Sequence, residues 1–209
     1  MQRRTAIQSI SAVLGYSLTP TMITGLISSC KEERKEGVGN PLFFELGDMP
    51  ILGKLGEAFL PRTETPGAMD VKAHLFVDVF LAKLANVNDQ KLFKRGFKAW
   101  KNDFEQVTKT AIEGADQSAY KKNLDAHYNI DGGQRKEVNE LLAGEEPSES
   151  LSLNKFLIYN FLKKFKSVLM LGYFGSEEIG ENVLSYLPVP GEYEGCIPAA
   201  DVGNTWSLG

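Results

Sequence analysis

Asp70, His74 and Asp78 stand at four-residue steps, the spacing that brings side chains onto one face of a helix. Two carboxylates beside an imidazole could hold a metal ion or form an acid–base pair. The competing reading is a polar helix face that happens to carry one histidine. No second histidine lies nearby in sequence, and that favours the plainer reading. His127, between Ala126 and Tyr128, is read the same way. No catalytic residue, no metal site and no cofactor bound by this chain are expected.

Counting excludes several other chemistries. A dinucleotide site would need G-x-G-x-x-G between a strand and a helix, and that spacing does not occur. Covalent haem needs C-x-x-C-H and an iron–sulfur cluster needs about four thiolates, whereas the chain has two cysteines, Cys30 and Cys196. Cys30 follows a basic start at Arg3 and Arg4 and an uncharged run from Thr5 to Ser29, the pattern of an export signal. The paired arginines resemble a twin-arginine signal, and "LISSC" resembles a lipoprotein box that would leave Cys30 acylated at a new N-terminus. The alternative is a permanent membrane span, which Gly15, Pro20 and Gly25 disfavour. An exported, membrane-anchored lipoprotein of the periplasm or cell envelope is therefore expected.

Arg3 and Arg4 are the only charges in residues 1–29, so cleavage takes the formal net charge from −4 to −6. Nucleic acid is a poor partner for such a chain. If lipid occupies Cys30, Cys196 has no partner within the polypeptide, and it becomes a candidate for an intersubunit disulfide or a free thiol.

Residues 30–41 read as a solvated tether, and 42–209 as one domain. A short helix is expected within 42–60, which Gly47, Pro50, Gly53 and Gly56 interrupt. Thr65 and Pro66 offer the N-cap and first turn of a helix over about Ala68 to Ala85, with Phe76, Phe80 and Leu84 forming its apolar face. Phe93, Phe97, Trp100, Phe104 and Val107 follow at steps of four, three, four and three, which makes a core-facing aromatic stripe. Two shorter helices are expected around the break at Asp131, Gly132 and Gly133, then a long one over about Leu151 to Leu171. That last helix is apolar almost all round, so it is central to a bundle or covered by another protein. Ser176 would cap a final short helix. The fold class expected is all-α: an irregular helical bundle with an extended Pro/Gly-rich C-terminal arm that presents Tyr173, Tyr186 and Tyr193 outward.

Two stretches resemble a known family: "FLPRTETPGA" at Phe59 to Ala68, and "GYFGSEEIG…YLPVPGEYEGCIP" at Gly172 to Pro198. Together they resemble the gluconate 2-dehydrogenase subunit 3 family. Pro61, Thr65, Pro66 and Gly67 match the first motif, with Glu64 where the family commonly has aspartate. Gly172, Tyr173, Phe174, Pro188, Pro190, Gly191, Tyr193, Gly195 and Cys196 match the second. The resemblance implies a non-catalytic helical small subunit whose matching residues form a partner interface. The partner would be a large FAD-containing dehydrogenase subunit, with a cytochrome c subunit accepting electrons. A twin-arginine route exports folded proteins, so the chain would also serve as export partner of a preloaded flavoprotein. The alternative is a free-standing envelope lipoprotein acting as a binding module.

Overall fold

The computed structural model describes residues 40–186, 196 and 198–207. Arg3, Arg4, Cys30, the tether to residue 39, and Pro188, Pro190, Gly191, Tyr193 and Gly195 lie outside the described residues. The described part is all-α, with one isolated parallel bridge between Ser185 and Trp206. In chain order the helices are α1 (Asp48–Phe59), α2 (Ala73–Lys83), α3 (Val87–Thr108), α4 (Gln117–Tyr128), α5 (Gly132–Ala143), α6 (Ser150–Phe174), α7 (Glu177–Asn182) and α8 (Ala199–Val202). A 3₁₀ turn, Ile112–Gly114, joins α3 to α4.

Side-chain caps set half of the described helix starts. Asn86 accepts from the Asp89 N–H, Asp116 from Ala119, and Ser176 from Ile179. Asp131 closes a capping box with Gln134, so Gly132 and Gly133 open α5 instead of merely interrupting the chain. Pro50 sits in the first turn of α1, where an amide hydrogen would have no intrahelical partner. Gly53 and Gly56, expected to break this segment, are inside α1 and buried. A Cβ on Gly56 would lie 3.2 Å from a Leu169 methyl, so the missing side chain lets α1 approach α6.

The aromatic stripe of α3 is the centre of the molecule. Phe93, Phe97, Trp100 and Phe104 are buried, and Phe161 of α6 packs its ring against the first three. Gly96 permits this crossing, because a Cβ there would sit 2.7 Å from both the Leu157 carbonyl oxygen and the Phe161 Cβ. Phe44 wedges into the same cluster, edge-on to Phe93 and Phe97. The long helix α6 is central as expected: it packs on α3, α2 and α5 and buries Phe156, Phe161, Leu162, Phe165 and Leu169. Among the described residues no helix is long and apolar enough to cross a membrane.

The largest departure from the sequence reading is α2, which begins at Ala73, not near Ala68. Thr65 and Pro66 do not start it. The intervening amides are claimed from elsewhere: Ala68 N–H donates to the Leu60 carbonyl and Gly67 N–H to Asp70. Lys72 then adopts a left-handed conformation, φ 54°, and turns the chain into the helix. The buried face is also shifted round the helix. Ala73, Val77 and Leu81 point into the core, while Phe76 and Val79 are exposed.

Candidate functional site

The two sequence motifs, far apart in the chain, meet at the end of α6. Tyr173 is buried, 7% exposed, and its hydroxyl donates to the Pro66 carbonyl at 2.7 Å. It was expected to stand outward at an interface; instead it pins the loop between α1 and α2 to α6. Glu57, on the last turn of α1, braces the loop from the other side. Its two carboxylate oxygens accept from the amides of Arg62, at 2.8 Å, and Met69, at 3.0 Å. Gly67 is buried against that carboxylate, so close that a Cβ would lie 2.5 Å from it. Thr65 and Pro66 are half-buried and Pro61 is exposed.

Gly172 has a similar job one residue from Tyr173. A Cβ at this position would fall 2.7 Å from Cγ and Cδ1 of Phe76 and 2.8 Å from its Cβ. The glycine therefore seats Phe76 on α6. With its base fixed there, Phe76 remains 38% exposed, Val79 47%, Leu84 72% and Val87 62%. Phe76, half-buried Phe80, Leu84 and Val87 recur at steps of four, four and three along α2 and its turn into α3. Leu171 and Met69 are exposed as well. Single exposed apolar residues are ordinary on a protein surface; here they fall in a row along α2 and its turn into α3.

Asp70, His74 and Asp78 do not form a shared site. Asp70 precedes the helix and binds the Gly67 amide and Arg62. Asp78 is buried, 4% exposed, and accepts from the amides of Leu42, Phe43 and Phe44 at 2.7, 3.0 and 3.0 Å. It holds the entering chain on α2. His74 packs near Gly53, and burial, which disfavours the charged ring, lowers its pKa. Its Nδ1 is buried with no hydrogen-bond partner among the described residues. No group of three or more metal-ligating side chains is gathered among the described residues.

His127 is better connected than its sequence surroundings suggested. Its Nε2 lies 2.7 Å from Asp103 Oδ2, which also accepts from Asn123 Nδ2 at 3.1 Å; Asn123 Oδ1 in turn accepts from the indole of Trp100 at 2.8 Å. Burial opposes charge on Asp103, but hydrogen bonds from His127 and Asn123 outweigh it, and its pKa lies below the ordinary carboxylate value. This chain of polar groups runs from the aromatic core to the surface. Asn123, fully buried, carries no sequence signal that would have singled it out.

Cys196 is exposed and unpaired among the described residues. Phe174 is half-buried and edge-on to Tyr173, and Tyr186 is 43% exposed. Ser185 N–H donates to the Thr205 carbonyl and Ser207 N–H to the Ser185 carbonyl, both at 2.9 Å, so the chain returns after Cys196 to the place it left.

The model of one family, gluconate 2-dehydrogenase subunit 3, matches residues 47–191, from the start of α1 through the first motif and into the second as far as Gly191. This chain belongs to the gluconate 2-dehydrogenase subunit 3 family. No curated protein and no solved structure matches it. The family's name makes its members subunits of a multi-subunit dehydrogenase. Tyr173, Pro66, Gly67 and Gly172, all within the matched span, here shape the loop and the seat of Phe76.

Proposed function

We propose that this chain is a non-catalytic small subunit that binds the large, FAD-containing subunit of a sugar or alcohol dehydrogenase through the outer face of α2. The carrying observation is the exposed row of Phe76, Val79, Leu84 and Val87 along α2 and its turn into α3, beside the face by which α2 is committed to the core. A stable subunit contact needs a buried apolar centre, which this row would supply. In this reading the motif residues act in two ways. Tyr173, Gly67 and Gly172 set the shape, while Pro61, Phe174 and the arm with Pro188, Pro190, Gly191, Tyr193 and Gly195 contribute contact. FAD belongs to the partner, and a cytochrome c subunit completes the complex.

Export and anchoring are part of the same proposal. Arg3 and Arg4 direct the folded pair outward, and Cys30 holds it to the membrane at the periplasmic or envelope face. Change of both arginines to lysine should strand the flavoprotein in the cytoplasm.

The direct test is capture of the full chain from native membranes by a C-terminal tag, read by flavin fluorescence and non-reducing electrophoresis. The expected result is a co-eluting flavoprotein that Phe76→Asp with Val79→Asp abolishes while the variant keeps its helical circular dichroism. A disulfide through Cys196 would appear as a band lost on reduction. Recovery of the wild-type chain alone would instead make it a free-standing envelope lipoprotein.

A further inference from the structure

A second surface lies on the opposite side of α6. Phe161, Phe165, Leu169 and Gly172 turn toward the core and α2; Tyr159, Lys163, Lys166 and Ser167, roughly half a turn round at about 100° per residue, border a groove shared with α4 and α5. Its volume is about 470 Å³, within the span of roughly 300–1,000 Å³ typical of small-molecule sites. Tyr128, Leu142 and Tyr159 give it apolar walls, and Arg135, Lys163 and Lys166 supply positive charge.

What distinguishes the groove is its charge balance. No carboxylate lines it. Several cations elsewhere are paired: Arg62 with Asp70, Arg95 with Glu146, Lys101 with Asp48, Lys155 with Glu137, and Lys136 with Glu140. Asp131 caps α5, Asp103 binds His127 and Asn123, and Asp89, which shares a neighbouring cleft with Lys163, accepts from the Asn86 side chain. Lys166 has its ammonium 5.3 Å from the Tyr128 ring and 5.9 Å from Phe59, a cation–π arrangement that holds the charge at the groove's edge without neutralising it. In a chain with net charge −4, three cations face this apolar cleft with no carboxylate among its lining residues.

We propose that this groove binds a small amphipathic anion, with a carboxylate, sulfonate or phosphate head between Arg135, Lys163 and Lys166 and a ring-sized apolar body between Tyr128, Leu142 and Tyr159. A forked guanidinium and two ammonium groups suit a multi-oxygen anion, and tyrosine faces suit a flat or aliphatic body. A free metabolite and an anionic lipid share this chemistry. The site is independent of the partner-binding face of α2, and its test does not depend on any partner.

The experiment is calorimetric titration of the purified full chain, held in phosphatidylcholine nanodiscs, with naphthalene-2-sulfonate and with uncharged 2-naphthalenemethanol. Saturable sulfonate binding at least about tenfold tighter than the alcohol is expected, with a loss of about tenfold in Arg135→Gln/Lys163→Gln and no change in Lys98→Gln, an exposed lysine on α3. Weakening of sulfonate binding when phosphatidylglycerol replaces part of the phosphatidylcholine would support the proposal with a lipid head as the source. Unchanged binding would support it with a soluble anion. Equal affinity for sulfonate and alcohol, equal loss in Lys98→Gln, or no saturable binding would overturn it.

Discussion

Replacing Gly172 by alanine tests the seat of Phe76 with a change of sign. The new Cβ would lie 2.7 Å from two ring atoms of Phe76 and 2.8 Å from its Cβ. Carbon atoms in contact prefer about 3.5–4.0 Å, so one side must give by nearly 1 Å. The Cβ of Phe76 is tied to the α2 backbone, and a rotamer change cannot relieve that contact. Overpacking of this kind costs about 1–3 kcal/mol, against roughly 0.5–1 kcal/mol gained when alanine replaces a helical glycine. The expected net loss is about 1–2 kcal/mol. In a Phe76→Gly background both the obstructing ring and its Cβ are gone, and the same Gly172→Ala change should stabilise by a few tenths to about 1 kcal/mol. The coupling in the double-mutant cycle is then about 2 kcal/mol. Urea unfolding of all four proteins, compared by midpoint at constant slope, measures it. Equal destabilisation in both backgrounds, or no effect on the wild type, would refute the idea that Gly172 exists to seat Phe76.

Three further outcomes follow from contacts in the same molecule. Tyr173→Phe removes the bond to the Pro66 carbonyl and should cost about 1 kcal/mol, with faster amide exchange in residues 61–69 and little change elsewhere. Gly96→Ala drives a Cβ to 2.7 Å from backbone and Cβ atoms of α6, and should destabilise by about 1–3 kcal/mol in thermal unfolding despite better helix propensity. Because the pKa of Asp103 is depressed in the folded protein, its charge adds stability that is fully present above the unfolded value, about pH 4, and is lost as pH falls through the lower folded value. Asp103→Asn should therefore be less stable at neutral pH and show a shallower acid limb in a stability–pH profile; an unaltered limb would show that Asp103 is not the group being protonated.

Tertiary context explains why only some of this was legible beforehand. The aromatic period of α3, the all-round apolarity of α6 and the Ser176 cap are local patterns, and a helix of 3.6 residues per turn reads them directly. Both motifs were also visible, but their meeting through Tyr173 and Pro66 joins residues 107 apart in sequence. Asp103, Asn123 and His127 likewise share no short-range pattern beyond an i, i+4 step on α4; only the packing of α3 on α4 brings Asp103 to them.

Sequence by itself determined the fold class, the order of the helices and the family, because helix period, capping chemistry and motif spacing are properties of neighbouring residues. It could not choose the buried side of α2, since Phe76, Phe80 and Leu84 and also Ala73, Val77 and Leu81 recur at four-residue steps. The choice fell to tertiary packing. Asp78 must stay on the protected side to receive three amides from residues 42–44, and Gly172 leaves room for only the base of Phe76. The same helix thereby gained a core face and an exposed apolar face.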